Sequence, residues 1–392
     1  MSEQPGERPH GAVRPDGAEL PHEAGRPDRA SWAALRHHGD AELVPGALDF
    51  AVNVRGSGPP GWLRDRLAAR LADLGGYPGV DDDEAALSAV AARHGVGRDR
   101  VLLLGGASEG FHLLAAHAAR NLLRAAVVHP SFTEPELELR RAGVPVERVL
   151  LPVPFDLDPG LVPEEADLVV VGNPTNPTSV VHPRSAVAAL CRPGRVTVVD
   201  EAFCDILADE AAHTLAGADL PGLVVLRSLT KTWALAGLRV GYAVGDPSVL
   251  ADLAARRPHW PLGTLQLEAI RACVGPAADP ELQAARAQVV SERDAMVRAL
   301  DAAGIEVAVP PSAPFVLVRT PAGIDPVAFR TGLVRRGIVT RRCDTFPGLD
   351  ATYLRLAVRP GTMVDELVGA WLGEVAARTG RGTTSEQEGE RP

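Results

Sequence analysis

In the stretch "RSLTKTWALAGLRVGYAV", residues 227–244, Lys231 is the single lysine of a 392-residue chain whose 40 basic residues are otherwise all arginine. Arginine serves ion pairs and solvated helix faces as well as lysine does, but it cannot lose its proton and attack a carbonyl. A lysine kept against that bias points to amine chemistry, an imine formed with a carbonyl-bearing partner. Other chemistry-bearing residues close successive apolar runs. Gly105, Gly106, Ala107 and Ser108 follow "VLLL", Phe132 follows "VVHPS", Asn173 and Asn176 follow "LVVVG", Asp200 ends "VTVVD", and Ser228 and Thr230 follow "VVLR". Arg239 stands eight residues beyond the lysine.

Each signal has a plain structural alternative: a Gly-rich turn is often only a helix entry, an Asp at a strand end an N-cap, a Phe a core residue. Taken in order and closing on the sole lysine, they describe one site. A Gly-rich turn into a helix offers N–H groups to a phosphate, which Ser228, Thr230 and Arg239 complete. Asp200 can keep a pyridinium nitrogen protonated, so that the ring withdraws electrons, and Phe132 can stack on its face. Those are the requirements of pyridoxal 5′-phosphate held on Lys231.

The elements that must position these residues follow the same order. Runs such as "RVLLLGG", "AAVVHP", "ADLVVVGNP", "RVTVVDEA" and "GLVVLRSLT" alternate with helical patterns, which predicts βαβ units and a mainly parallel sheet with helices on both faces. Functional residues then gather at the carboxyl ends of the strands. Beyond about Pro276 the pattern becomes a long helix followed by "FVLVRT", "GIVTRR" and "YLRLAVR", a smaller α+β unit. The expected organisation is a disordered tail over 1–30, an N-terminal arm and part of the small domain over 31–75, a large cofactor-binding domain over 76–275, a small domain over 276–378 and a second disordered tail over 379–392.

Composition bounds the partners. Hydrophobic residues at 46% and charged residues at 23% describe a globular protein, and the net charge of −10 disfavours nucleic acid or an anionic membrane as the main partner. No apolar run approaches the roughly 20 residues of a membrane span, and the first residues carry no signal-peptide pattern, so a cytoplasmic location is expected. Cys191, Cys204, Cys273 and Cys343 are scattered without CxxC spacing, which suggests neither a disulfide framework nor a metal site.

Over about residues 31–375 the chain resembles the fold-type I pyridoxal-phosphate enzymes of the class I/II aminotransferase superfamily. "GNPTNPT", "VVDEAF" and "SLTKTWALAGLRVGY" are similar to three of its motifs. The resemblance implies Asn176 and Asp200 on the pyridine ring, Lys231 as the Schiff-base lysine, and Ser228, Thr230 and Arg239 on the phosphate. "YLRLAVR" implies that Arg355 clamps a substrate carboxylate, and "GGYPG" that Tyr77 reaches the cofactor phosphate of a neighbouring subunit in a homodimer. Phe203 stands where many relatives have a tyrosine, so one hydrogen bond to the cofactor is missing.

Two branches share this core and a small phosphorylated, amino-acid-like substrate. "RHHGD", "LDFAVNVRGSGPP" and "RRCDTFPGL" resemble segments of the L-threonine O-3-phosphate decarboxylases of cobalamin synthesis, although Val54, Arg55 and His38 depart from them. That match implies His37, Asn53 and Arg341 on the substrate phosphate, and makes decarboxylation to (R)-1-amino-2-propanol O-2-phosphate the leading expectation. Transfer of an amino group from histidinol phosphate to 2-oxoglutarate is the alternative. A non-catalytic scaffold would have let the cofactor contacts erode, and a dinucleotide-binding dehydrogenase would leave the lone lysine and the absent GxGxxG unexplained.

Overall fold

The computed structural model describes residues 33–380 except His38, Arg55 and Ser57. The expected tail over 1–30, the sequence departures at His38 and Arg55, and the stretch from Arg381 onward lie outside the described residues.

Two sheets organise these residues. After β1 (Leu48–Phe50), the chain lays down β2 (Val101–Leu104), β3 (Ala125–His129), β4 (Val146–Leu150), β5 (Leu168–Gly172), β6 (Val196–Asp200), β7 (Leu223–Ser228) and β8 (Gly241–Gly245). The last seven form one sheet in the order β2-β8-β7-β6-β5-β3-β4. Five of its strands run parallel in succession, and β8 is antiparallel to both β2 and β7. The inner strands β3, β5, β6 and β7 read as nearly unbroken Val, Leu and Ala because both faces are covered. Val169, Val199 and Val225 enter one core, while Val170, Val198 and Val224 enter the other. Burying each such side chain contributes about 1.5–3 kcal/mol.

Since β8 is the only reversed strand, β2, β3, β5, β6 and β7 bring their carboxyl ends to one rim. From that rim the chain enters α1 (Ala107–Arg120), α2 (Glu134–Arg141) and the short α3 (Leu229–Thr232). The strand β4 and the reversal at β8 did not stand out in the sequence: "VERVL" is interrupted by Glu147 and Arg148 at an exposed edge, and "GYAVG" is bounded by glycines at both ends.

The second sheet, in the order β1-β10-β11-β9, comprises β1 with β9 (Phe315–Arg319), β10 (Ile338–Arg342) and β11 (Tyr353–Ala357). β1 joins parallel to β10, which brings the N-terminal segment beside the C-terminal strands. The long α4 (Asp279–Ala302) and α5 (Gly361–Thr379) cover it, with Phe50, Met296, Leu300, Phe329 and Trp371 in one core. α5 extends to Thr379, the residue at which the sequence suggested a tail. The segment 31–75 divides between the two sheets. β1 belongs to the smaller one, whereas the helix Gly61–Ala69 inserts Leu63 into the core of the larger. Among the described residues no helix is long and apolar enough to cross a membrane.

Candidate active site

A cavity of about 490 Å³ opens at the carboxyl rim of the large sheet and is closed from the other side by the small one. Its lining includes every candidate site residue except Tyr77, Gly105 and Asn173, whose amide is bonded instead to the His182 backbone. On one wall Gly106 has φ +87° and ψ 164°, a conformation reserved for glycine, as it leads into α1. A Cβ there would lie 3.1 Å from Arg239 Nη2, so glycine is what lets this guanidinium approach the amino end of the helix. Arg239 itself has φ +60°, and Gln266 Nε2 donates to its carbonyl at 2.8 Å. Arg239 Nη2 donates to Ser108 Oγ at 3.3 Å, and the Ser228 and Thr230 hydroxyls are hydrogen-bonded to each other. N–H groups, three hydroxyls and a guanidinium thus converge beside Ala107, a donor set suited to a phosphate.

Lys231 projects into the cavity from α3, and its amine makes no hydrogen bond or ion pair among the described residues. Burial lowers its pKa from the ordinary lysine value, and the charges of Arg355 and Arg239 lower it further against the opposing pull of Asp200. That is the direction a nucleophilic amine requires. Asp200 ends β6, where its Oδ1 accepts from the Ala202 N–H at 3.1 Å. Burial pushes its pKa up to about 6, and Glu134 and Glu201 add to the rise. Phe132 lines the cavity and meets Phe111 with ring centroids 6.4 Å apart. Phe203 packs edge-on against Phe315 at 5.0 Å, in the place where a tyrosine hydroxyl is missing.

The small sheet supplies the opposite wall. Arg341 on β10 and Arg355 on β11 are directly paired across the antiparallel ladder, so two buried guanidiniums share one face. Arg355 Nη1 donates to Asn176 Oδ1 at 2.6 Å and Nη2 to the Ala51 carbonyl, while its Nε is buried without a hydrogen-bond partner. Desolvation, with the charge of Arg341, brings its pKa down to about 9, so it remains cationic at neutral pH but short of compensating negative charge. Arg341 donates to the carbonyls of Arg342 (2.7 Å) and His37 (2.8 Å) and to Thr345 Oγ1 (2.8 Å). Asn53 is 6% exposed, and neither its amide nitrogen nor its amide oxygen has a partner. Such an orphaned buried amide beside two guanidiniums is a polar site built for an anionic group.

Two expectations take a particular form. The His37 ring is not directed at an open anion site: its Nε2 meets Glu42 Oε1 at 2.6 Å, and Glu42 also binds Arg330 at 2.6 Å and lies 3.9 Å from Arg341 Nη1. Tyr77 is 77% exposed, stacked on Trp260 at 4.1 Å, and stands outside the cavity of its own chain. Sequence reasoning missed Glu134, Asp40 and Glu42. Glu134 accepts from Ser108 Oγ at 2.9 Å and Asp40 lines the cavity; Asp40 closes the "RHHGD" segment without a role having been read for it, and Glu134 and Glu42 neither end a strand nor sit in a recognisable motif.

The residues present fit pyridoxal phosphate: an unpartnered amine, a carboxylate at a strand end, and a phosphate cradle that a Cβ at position 106 would fill. Fold and site together define a fold-type I pyridoxal-phosphate enzyme. The chain belongs to the family of class I and II aminotransferases, whose pattern matches residues 60–370. It is 53% identical over 356 residues to a histidinol-phosphate aminotransferase of Mycobacterium tuberculosis, covering 90% of this chain and 94% of the relative. It is 28% identical over 337 residues to the threonine-phosphate decarboxylase of Salmonella typhimurium, covering 82% and 90%. The crystal structure of the histidinol-phosphate aminotransferase from Clostridium acetobutylicum superposes with a TM-score of 0.76 at 23% identity, over 83% of this chain and 98% of that one, which shows the shared fold.

Proposed function

We propose that this protein is an aminotransferase of the histidinol-phosphate type, moving an amino group from a phosphorylated amine to 2-oxoglutarate. The observation that carries this reading is the 53% identity, over 90% of the chain, to an aminotransferase of that name. It reverses the order expected from the sequence motifs, where the decarboxylase led. In this reading Gly106, Ala107, Ser108, Ser228, Thr230 and Arg239 would hold the cofactor phosphate, Phe132 would stack on its ring, Asn176 and Asp200 would hold its polar edge, and Phe203 would stand beside it without the hydrogen bond that a tyrosine offers.

Bound there, pyridoxal phosphate supplies an electron sink for the negative charge that develops at the substrate Cα. Lys231, with its lowered pKa, carries the proton between Cα and its own nitrogen. Asp200 keeps a proton on the ring nitrogen. Arg355 and Arg341, with the Asn53 amide, grip the phosphate, which is the anionic group of histidinol phosphate; two guanidiniums also suit the two carboxylates of 2-oxoglutarate, so one pocket can serve both halves of the reaction. We further propose a cytoplasmic homodimer in which the exposed Tyr77 completes the partner's phosphate site.

The decarboxylase remains the second reading, favoured by "LDFAVN" and "RRCDTFPGL" and by the 28% relative. The two would differ in which Cα bond breaks, a C–H bond in the transferase and the bond to the carboxylate in the decarboxylase, and so in how Arg355 and Arg341 hold the substrate. Incubating cofactor-loaded protein with histidinol phosphate and 2-oxoglutarate should yield glutamate. Stoichiometric CO₂ from L-threonine O-3-phosphate without any oxo acid, and no glutamate in the first assay, would overturn the aminotransferase.

A further inference from the structure

Behind the cavity lies an ion cluster centred on Arg227, whose side chain is 0% exposed. Arg227 immediately precedes Ser228 at the end of β7, and Glu201 immediately follows Asp200 at the end of β6. Successive side chains on a strand leave opposite faces. Ser228 and Asp200 therefore face the cavity, while Arg227 and Glu201 face away from it, and the Glu201 N–H continues the ladder by donating to the Leu226 carbonyl at 2.9 Å. Arg227 forms an ion pair with Glu201, Nε to Oε2 at 3.2 Å without hydrogen-bond geometry, and its two terminal nitrogens bind Asp205 and Glu210. Glu201 is fixed independently by Thr214 Oγ1 at 2.6 Å and the Leu215 N–H at 2.8 Å. Arg93 and Arg286 reach Glu210 from outside, so three carboxylates meet three guanidiniums.

We propose that Arg227 is a positioning residue for Asp200: its pairing with Glu201 ties the ends of β6 and β7 together behind the sheet, and so sets how the Asp200 carboxylate and the Ser228 hydroxyl are presented to the cofactor. The inference rests on Asp200 being the partner of the ring nitrogen. It has an electrostatic side as well. Glu201 pushes the Asp200 pKa upward, as Glu134 does across the cavity, and Lys231 opposes them. The charge of Arg227 compensates Glu201 from behind. Without it Glu201, whose pKa burial already raises, takes up a proton and no longer ties β6 to β7, and the Asp200 carboxylate is misplaced. The ring nitrogen then gives up its proton more readily, and the nitrogen of Lys231, relieved of a nearby positive charge, holds its own to higher pH.

The test is a pH titration of the visible absorbance of the cofactor-loaded resting protein, together with the Kd for pyridoxal phosphate; neither requires turnover. Asp200→Asn and Arg227→Met should both move the absorbance midpoint up by one pH unit or more, and Arg227→Met should weaken the cofactor at least tenfold. Arg227→Lys, which keeps the charge but not the fork, should shift the midpoint less, and it keeps the proposal testable if the methionine variant does not fold. Glu210→Gln, in the same cluster but not bonded to Glu201, should leave the midpoint in place. A shift in Asp200→Asn with none in folded Arg227 variants, or an equal shift in Glu210→Gln, would overturn the proposal. No shift in Asp200→Asn would instead overturn the ring-nitrogen role on which it rests.

Discussion

Replacing Arg341 by methionine separates recognition from stability. The side chain loses three hydrogen bonds, to Arg342 O, His37 O and Thr345 Oγ1, worth about 1 kcal/mol each. Its attraction to Glu42 at 3.9 Å, about 4 kcal/mol at an effective dielectric of 20, is lost too, although Glu42 keeps His37 and Arg330. Against these stand two gains. Repulsion from Arg355, directly opposite on β11, disappears, about 3 kcal/mol for charges ~6 Å apart at the same dielectric. The buried guanidinium's desolvation penalty, several kcal/mol, disappears with it.

The terms nearly cancel, so the ligand-free Tm should move by no more than about 5 °C. Substrate recognition has no such offset. Removing one partner of a buried charge pair costs about 2–5 kcal/mol, or roughly 30- to 4,000-fold in kcat/KM for the phosphorylated substrate. The assay compares steady-state kinetics on that substrate and on its dephosphorylated counterpart, with melting followed by circular dichroism. Discrimination between the two should collapse in the variant. An equal fall for both substrates, or none, would refute the placing of Arg341 on the phosphate.

Four further outcomes follow from the geometry. Lys231→Arg should abolish turnover and leave no borohydride-reducible link to the cofactor, although charge is conserved; retained activity would dismiss the amine chemistry. Gly106→Ala should weaken pyridoxal phosphate about 5- to 150-fold, because 1–3 kcal/mol of backbone strain joins the displacement of Arg239; fluorescence titration reads it. Asp200, held near pKa 6 against an ordinary 3.8, binds more protons in the folded chain between about pH 4 and 6. Cofactor-free protein should thus lose stability as pH rises through that window, and Asp200→Asn should raise its Tm at pH 7 while lowering that of the loaded protein. Finally, mixing Lys231→Ala with Tyr77→Ala protein should restore about a quarter of native activity through heterodimers with one intact site, whereas no recovery would exclude a site shared across subunits.

Much of this was legible in the sequence because the cofactor side is built from strand ends. β5, β6 and β7 are apolar runs whose last residues, read in order, are the ones the structure brings to the rim. The substrate side was legible only in part. Arg355 and Arg341 stand in strands with clear patterns, but their direct pairing depends on antiparallel register, which follows from the turn between Cys343 and Thr352 rather than from local periodicity. The ring of His37 is engaged by Glu42 because of how the N-terminal arm crosses β10, a long-range contact that no short motif encodes. Glu134 was hidden for a similar reason: in sequence it is an ordinary acid in the first turn of α2, and only folding aims it at Ser108 and toward Asp200.

The enclosure of Lys231 gives the molecule a built-in gauge. With no other side-chain amine in the sequence, reagents that modify lysine side chains can report on a single position, and that position lines the cavity. A bound cofactor would mask it and an empty pocket would expose it. The fraction of chain left without a label at this lysine, read by mass spectrometry of the peptide that carries it and so apart from the N-terminal amine, then measures how much of the population is loaded at that moment, without purification to homogeneity or any knowledge of the substrate.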